Sequence, residues 1–317
     1  MTGSIRGLAA FGVAGSMAGW AARHASSSTA RRWAPGAGHG RLAGRLRVRV
    51  FGTGDPVIVL LHGLVASGDY FGAGFDRLGE HATVVIPDLL GFGDSPAEPG
   101  LLAAADHLAA LHDMLETLHL HRRPLITVGH SMGSILALRW AAELGNRIRG
   151  VVGICPPLYR DADEADEGLR RMGRMEAFLA GDGPLPRAMC AWMCAHRTTA
   201  SWLAVAARPD LPVPIARAAV QHTWDTYRGS LVDIIRNPAW EAALQHLGAT
   251  GVPISLLEGA RDPVPVPGRA VELLAALPVG THRLHPHAGH YLPMTGAAWC
   301  ATQIAAQARR PAREGSW

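Results

Sequence analysis

Leu125-Ile126-Thr127-Val128-Gly129-His130-Ser131-Met132-Gly133-Ser134-Ile135-Leu136 joins a short apolar run to a segment of helical period through a serine set between two glycines. Leu125–Val128 has the length and continuous apolarity of a strand covered on both faces, and Ser134–Leu144 reads as the helix that follows. A hydroxyl is a weak nucleophile at neutral pH. A sharp turn from strand end to helix start exposes it, and the helix start aims N–H groups at the charge that attack creates. A Cβ at Gly129 or Gly133 would collide across so tight a turn, so both glycines fit the same reading. Ser131 is therefore the candidate nucleophile.

Working outward, apolar runs of the same kind recur at Val57–Leu61, Thr83–Ile86, Val151–Ile154 and Ile254–Leu257. Arg45–Val50 alternates apolar residues with Arg, the pattern of a half-buried strand near a sheet edge. Helical segments such as Leu101–Leu118 supply the crossovers that parallel strands need. The alternation predicts an α/β fold with a mostly parallel, doubly wound sheet. One connection, about 95 residues from Pro156 to Gly251, is too long for a crossover. Its helical stretches, near Glu167–Ala180, Leu185–Ala207, Val213–Ile235 and Trp240–Leu247, predict a helical cap over 157–250 inserted into a core of 45–156 and 251–309.

With this frame set, the chain resembles the α/β-hydrolase superfamily from about Arg45 to Arg309. The resemblance rests on the Gly129–Gly133 turn, on His62-Gly63-Leu64 after one strand and on Asp88-Leu89-Leu90-Gly91-Phe92-Gly93-Asp94-Ser95 after another. It implies that the backbone N–H groups of Leu64 and Met132 form an oxyanion hole, that His62 is structural, and that Asp88 and Ser95 shape a loop. It also implies an acid and then a histidine downstream of the serine. Asp262, in Ile254-Ser255-Leu256-Leu257-Glu258-Gly259-Ala260-Arg261-Asp262-Pro263, is the expected acid, with Asp161 at the start of the cap as its rival. His290, after a strand around Thr281–His285, is the expected base. Pro293-Met294-Thr295 departs from the pattern, where many relatives carry an acidic residue.

A serine at the elbow excludes the dehalogenases and epoxide hydrolases of this superfamily, which use aspartate there. His130 stands where carbon–carbon hydrolases usually show Asn, which favours a carboxylic ester, lactone or thioester cleaved through an acyl-enzyme. A carbon–carbon bond hydrolase, a cofactor-free haloperoxidase or perhydrolase, and a ligand-binding protein without turnover remain open alternatives. Trp192, Trp224 and Tyr227 of the cap, with Met193 and Trp202 beside them in sequence, are candidates to line a pocket for a small-molecule acyl substrate. No cofactor is expected.

Charge and cysteine usage limit other functions. Residues 1–54 hold eight Arg and no acid, so the formal +4 of the chain leaves the rest at −4. A body without a basic face argues against nucleic-acid binding. The four histidines 282, 285, 287 and 290 do not share a helix face and are joined by no Cys. The acids 161–167 suit the start of a helix, so no metal is expected at either place. Cys155, Cys190, Cys194 and Cys300 are too scattered for a disulfide framework. Residues 26–44 lack periodicity, so 1–44 reads as a disordered or loosely helical basic arm, and the residues from 310 read as a disordered tail. No apolar run is long enough for stable membrane insertion. The expected location is cytoplasmic, with export as the alternative if the apolar stretch within 1–28 is a targeting segment.

Overall fold

The computed structural model describes residues 19–97, 100 and 102–310. Its sheet has eight strands: β1 Gly40–Ala43, β2 Leu46–Phe51, β3 Val57–Leu61, β4 Thr83–Pro87, β5 Leu125–His130, β6 Ile148–Ile154, β7 Ile254–Gly259 and β8 Gly280–His285. Their order is β1-β2-β4-β3-β5-β6-β7-β8. β2 is antiparallel to both of its neighbours, and every pair from β4 to β8 is parallel. The chain steps from β3 to β4 on one side and reaches β5 on the other. The carboxyl ends of β3 and β5 therefore adjoin where the winding reverses, the place where such sheets form a ligand crevice.

The continuous apolar runs are the central strands, and all of β3, β4 and β5 is buried. Helix Met132–Glu143 packs on β5 and β6, and its Trp140 is fully buried with Met114 and Trp240 on one face of the sheet. The other face is closed by Phe71, Phe75, Cys300 and Ile304. Each such side chain contributes roughly 1.5–3 kcal/mol through removal from water. The helix after β5 begins at Met132, two residues earlier than its periodicity suggests, because it starts at the elbow itself.

Several expectations need correction. Within 26–44, read as unstructured, lie α1 (Ser28–Arg32) and β1, which pairs with β2 as the sheet edge. Four residues with three exposed carry no periodic signal. Arg49 does not face water but is buried, donating to the carbonyls of Ala37, Gly68 and Phe71. The long connection between β6 and β7 is helical, but more finely divided than expected. Gly173 breaks Glu167–Ala180 into Ala162–Met172 and Arg174–Leu179, and His196 breaks Leu185–Ala207 into Pro184–Ala195 (α2) and Arg197–Ala207 (α3). A further helix, Val213–Ala218 (α4), follows. No helix among the described residues is long and apolar enough to cross a membrane. The expectations for the opening segment and the tail fall mostly on residues 1–18 and 311–317, outside the described ones.

Candidate active site

Ser131 sits at φ +52°, a conformation that side chains rarely adopt, and its N–H donates to Ile154 O at 2.9 Å. The glycines make the turn possible: a Cβ on Gly129 would lie 2.0 Å from Gly133 O, and one on Gly133 would lie 2.3 Å from Leu61 O. Met132 is the first residue of the helix, whose opening N–H groups have no acceptor within it. The loop after β3 lies against the serine, since a Cβ on Gly63 would come within 3.1 Å of Ser131 Cβ. Leu64 directly follows that glycine in the chain. His62 turns away: its Nδ1 lies 2.8 Å from Gly63 O, and its Nε2 accepts from Leu89 N–H at 2.9 Å. Burial lowers its pKa to about 4 and keeps it neutral.

Ser131, His290 and Asp262 meet across three loops. His290 Nε2 lies 3.1 Å from Ser131 Oγ, and Nδ1 lies 3.1 and 3.0 Å from the two oxygens of Asp262. The Asp262 side chain is fully buried. Burial pushes its pKa up, but His290, the Cys155 thiol and the Val264 N–H together pull it below the ordinary carboxylate value. The loops that carry Asp262 and His290 are stitched together by Ala260 N–H to His285 O and Arg261 N–H to Ala288 O, both 2.9 Å. Asp161, the rival acid, is exposed and caps its own helix by accepting from Glu164 N–H at 2.8 Å.

Two supports were not anticipated in the sequence. His130 Nε2 lies 2.9 Å from the backbone carbonyl of His290, with its ring stacked on Tyr70 at 4.8 Å. Cys155, just past β6, helps to hold the Asp262 carboxyl below its ordinary pKa, and burial raises its own thiol well above the usual value. His130 adjoins the serine and was within reach of a motif reading, whereas nothing around Cys155 marks it. His130, Cys155 and His290 place ligand atoms within 4.8 Å of one another, the one such grouping among the described residues. His130 is already engaged on the His290 carbonyl, and Cys155 acts on the Asp262 carboxyl, so the trio braces the loops that carry His290 and Asp262.

The other candidate clusters disperse. His282 pairs with Glu258 at 2.9 Å, and His285 meets Trp299 edge-on. In the acidic stretch, Glu164 pairs with Arg269, Asp166 with Arg236 and Glu167 with Arg170. Asp88 accepts from Gly68 N–H at 2.6 Å and Asp94 N–H at 2.9 Å, while Ser95 Oγ donates to Asp88 O at 2.7 Å. The pocket aromatics divide. Trp224 and Tyr227 pack into the cluster that holds Leu64 and Phe92. Trp192 is 43% exposed and stacks on His196, and Trp202 is 54% exposed under Arg217. Helix breaks at Gly173 and His196 rotate the faces that a continuous period would have aligned. All four cysteines are free.

An uncharacterized protein of Mycobacterium tuberculosis is 23% identical over 267 residues, 78% of this chain and 73% of that one. A magnesium-chelatase 30 kDa subunit of Rhodobacter capsulatus is 38% identical over 134 residues, covering 41% of this chain and 45% of that protein. Among solved structures, a bromoperoxidase from Bacillus anthracis superposes with a TM-score of 0.65 at 21% identity, covering 86% of this chain and 100% of that one. The family model of the alpha/beta hydrolase fold matches residues 56–297, and the chain belongs to that family.

Proposed function

We propose that the protein is a serine hydrolase that cleaves a carboxylic ester, lactone or thioester through an acyl-enzyme at Ser131. The observation that carries this reading is the continuous line from Ser131 Oγ through both nitrogens of His290 to the buried Asp262. In this reading His290 takes the serine proton as Oγ attacks the acyl carbon. Asp262 fixes the tautomer that presents Nε2 to the serine and stabilises the imidazolium that forms. The N–H groups of Leu64 and Met132 receive the negative charge on the acyl oxygen, each worth about 3 kcal/mol of transition-state stabilisation. His290 then returns its proton to the leaving oxygen or sulfur, and water, deprotonated by the same imidazole, releases the acid. The helices between β6 and β7 act as a cap, with Trp224 and Tyr227 the aromatic residues of the acyl pocket.

A fluorophosphonate probe tests this reading directly. Wild type is expected to be labelled, Ser131→Ala to take no label, and His290→Ala and Asp262→Asn to react slower, on the order of 10⁴-fold. A folded wild type that takes no label would reject the proposal and favour a ligand-binding role for the same fold.

A further inference from the structure

Residues 19–37 lie upstream of the region matched by the family model and run over the molecule as an arm. Three groups of the arm hold the last turn of α3 and the turn that leads on to α4. Trp20 Nε1–H donates to Val205 O at 2.9 Å, His24 Nδ1 donates to Pro209 O at 3.0 Å, and Ser27 Oγ donates to Asp210 O at 2.6 Å. Further along, Arg32 donates to Thr295 O at 2.9 Å, on the short helix that begins two residues after His290. Trp33 Nε1–H then donates to Asp69 O at 3.0 Å, in the loop after β3. The indoles of Trp20 and Trp33 lie against the cluster of Tyr70, Val205, Ile215 and Met294 that these three regions share.

Within that junction sits Arg208. Asp210 accepts from its Nε at 2.9 Å and its Nη2 at 2.7 Å, and Nη2 also donates to the Tyr291 hydroxyl. The guanidinium carbon is 5.4 Å from the centre of the Tyr291 ring, so the same group stacks on and bonds to one tyrosine. Tyr291 directly follows His290 in the chain. The base is thus flanked on one side by the His130 bond to its own carbonyl and on the other by a neighbour tied to the α3–α4 turn.

We propose that Arg208, held by Asp210 and by the N-terminal arm, is a positioning residue that fixes the His290 loop from outside through Tyr291. The inference rests on the proposed role of His290 as base. It goes beyond that role by assigning work to the arm and to an arginine that lies off the reacting atoms. The physical reason is the tolerance of proton transfer: an imidazole displaced by about 1 Å from its serine loses on the order of 100-fold in rate. A loop held at two successive residues is spared most of that wandering.

The full-length protein is compared with Arg208→Met, Arg208→Lys, Tyr291→Phe and Ser27→Ala. Three quantities are read: the phosphonylation rate of Ser131, kcat and KM on a p-nitrophenyl ester, and tryptic cleavage at Arg23, Arg31 and Arg32. Arg208→Met is expected to lower kcat and the phosphonylation rate about 10-fold with KM changed less than about twofold. Arg208→Lys is expected to recover part of the loss, Tyr291→Phe to show a smaller fall, and Ser27→Ala to speed cleavage of the arm. Unchanged kcat and phosphonylation in a folded Arg208→Met protein would overturn the proposal, even with the arm cut faster. A loss that merely tracked a lowered melting temperature, with no recovery in Arg208→Lys, would overturn it too. If wild type takes no phosphonate, the hydrolase reading fails. The tryptic comparison of wild type with Arg208→Met still reports whether Arg208 anchors the arm.

Discussion

The imidazole of His130 reaches from the turn at Ser131 to the backbone of His290, with Nε2 2.9 Å from its carbonyl oxygen. A carbonyl only accepts, so Nε2 carries the proton, and Nδ1 is buried without a partner. Burial lowers the His130 pKa to about 3, so the ring is a neutral donor at any working pH. His130→Ala is expected to lower kcat about 10-fold while KM changes little, because the base loop loses an anchor and the substrate loses nothing. His130→Gln, which keeps an N–H donor, is expected to recover part of the rate. Steady-state kinetics on a p-nitrophenyl ester decide it, and an Ala variant with full kcat would reject this role.

Gly133 is closed to substitution by backbone rather than by side chains. A Cβ there would meet the carbonyls of Leu61 and His62 at 2.3 and 2.5 Å, and neither can swing aside. Gly133→Ala is expected to cost several kcal/mol of stability, as overpacked sites do, and to abolish phosphonylation. Thermal melting and labelling of the purified variant check both, and a labelled variant of unchanged melting temperature would contradict the geometry.

Acid should unfold this protein early. Burial lowers His62, His107 and His222 to about 4 and His130 to about 3, against an ordinary value near 6.5. Because the unfolded chain binds these protons first, stability is full above about pH 6.5 and falls as pH drops toward the folded-state values. The slope has an upper bound of about 5 kcal/mol per pH unit with all four contributing. Asp262 adds to the same trend at lower pH, since its depressed pKa favours the folded state until it too is protonated. Urea titrations at pH 7.5 and 5 test this, and equal midpoints would show that the histidines protonate without unfolding.

Arg49 ties the sheet to the segment that follows β3. Its guanidinium donates to Ala37 O, Gly68 O and Phe71 O at 2.8–3.0 Å and lies 3.4 Å from Asp69. Arg49→Met keeps the apolar stem but strands those acceptors, with an expected loss of about 3–5 kcal/mol. Denaturant unfolding measures it, and a loss under about 1 kcal/mol would show that water replaces the guanidinium.

The parts legible in the sequence are those whose signal is local. Ser131 announces itself because strand, turn and helix are consecutive, and β3 to β7 because burial on both faces leaves an unbroken apolar run. β1 was hidden by its length, and Arg49 by an alternation that marks one face of β2 without saying what covers it. Asp262 and His290 are legible only through resemblance and order along the chain. The contact of both with Ser131 is a property of the sheet, which carries the ends of β5, β7 and β8 along one edge, with β6 between β5 and β7. Cys155 and Arg208 are invisible there because each meets its partner far away in sequence from an ordinary-looking position.

The elbow and the helical insertion stand in opposite relations to change. Around Ser131 backbone meets backbone, so almost any new atom there breaks the turn. The insertion leaves at the end of β6 and returns at β7, strands paired in register from Val151↔Ile254 to Ile154↔Leu257. Parallel strands put those two ends at opposite ends of the sheet, so the insertion has to return along one face, and helix Trp240–Ala249 does so against Met132–Glu143. Such a layout divides the insertion: the returning helix, whose Trp240 is fully buried in the core, has to stay, whereas a donor segment of different length and lining can replace the part before it that lies clear of Arg208.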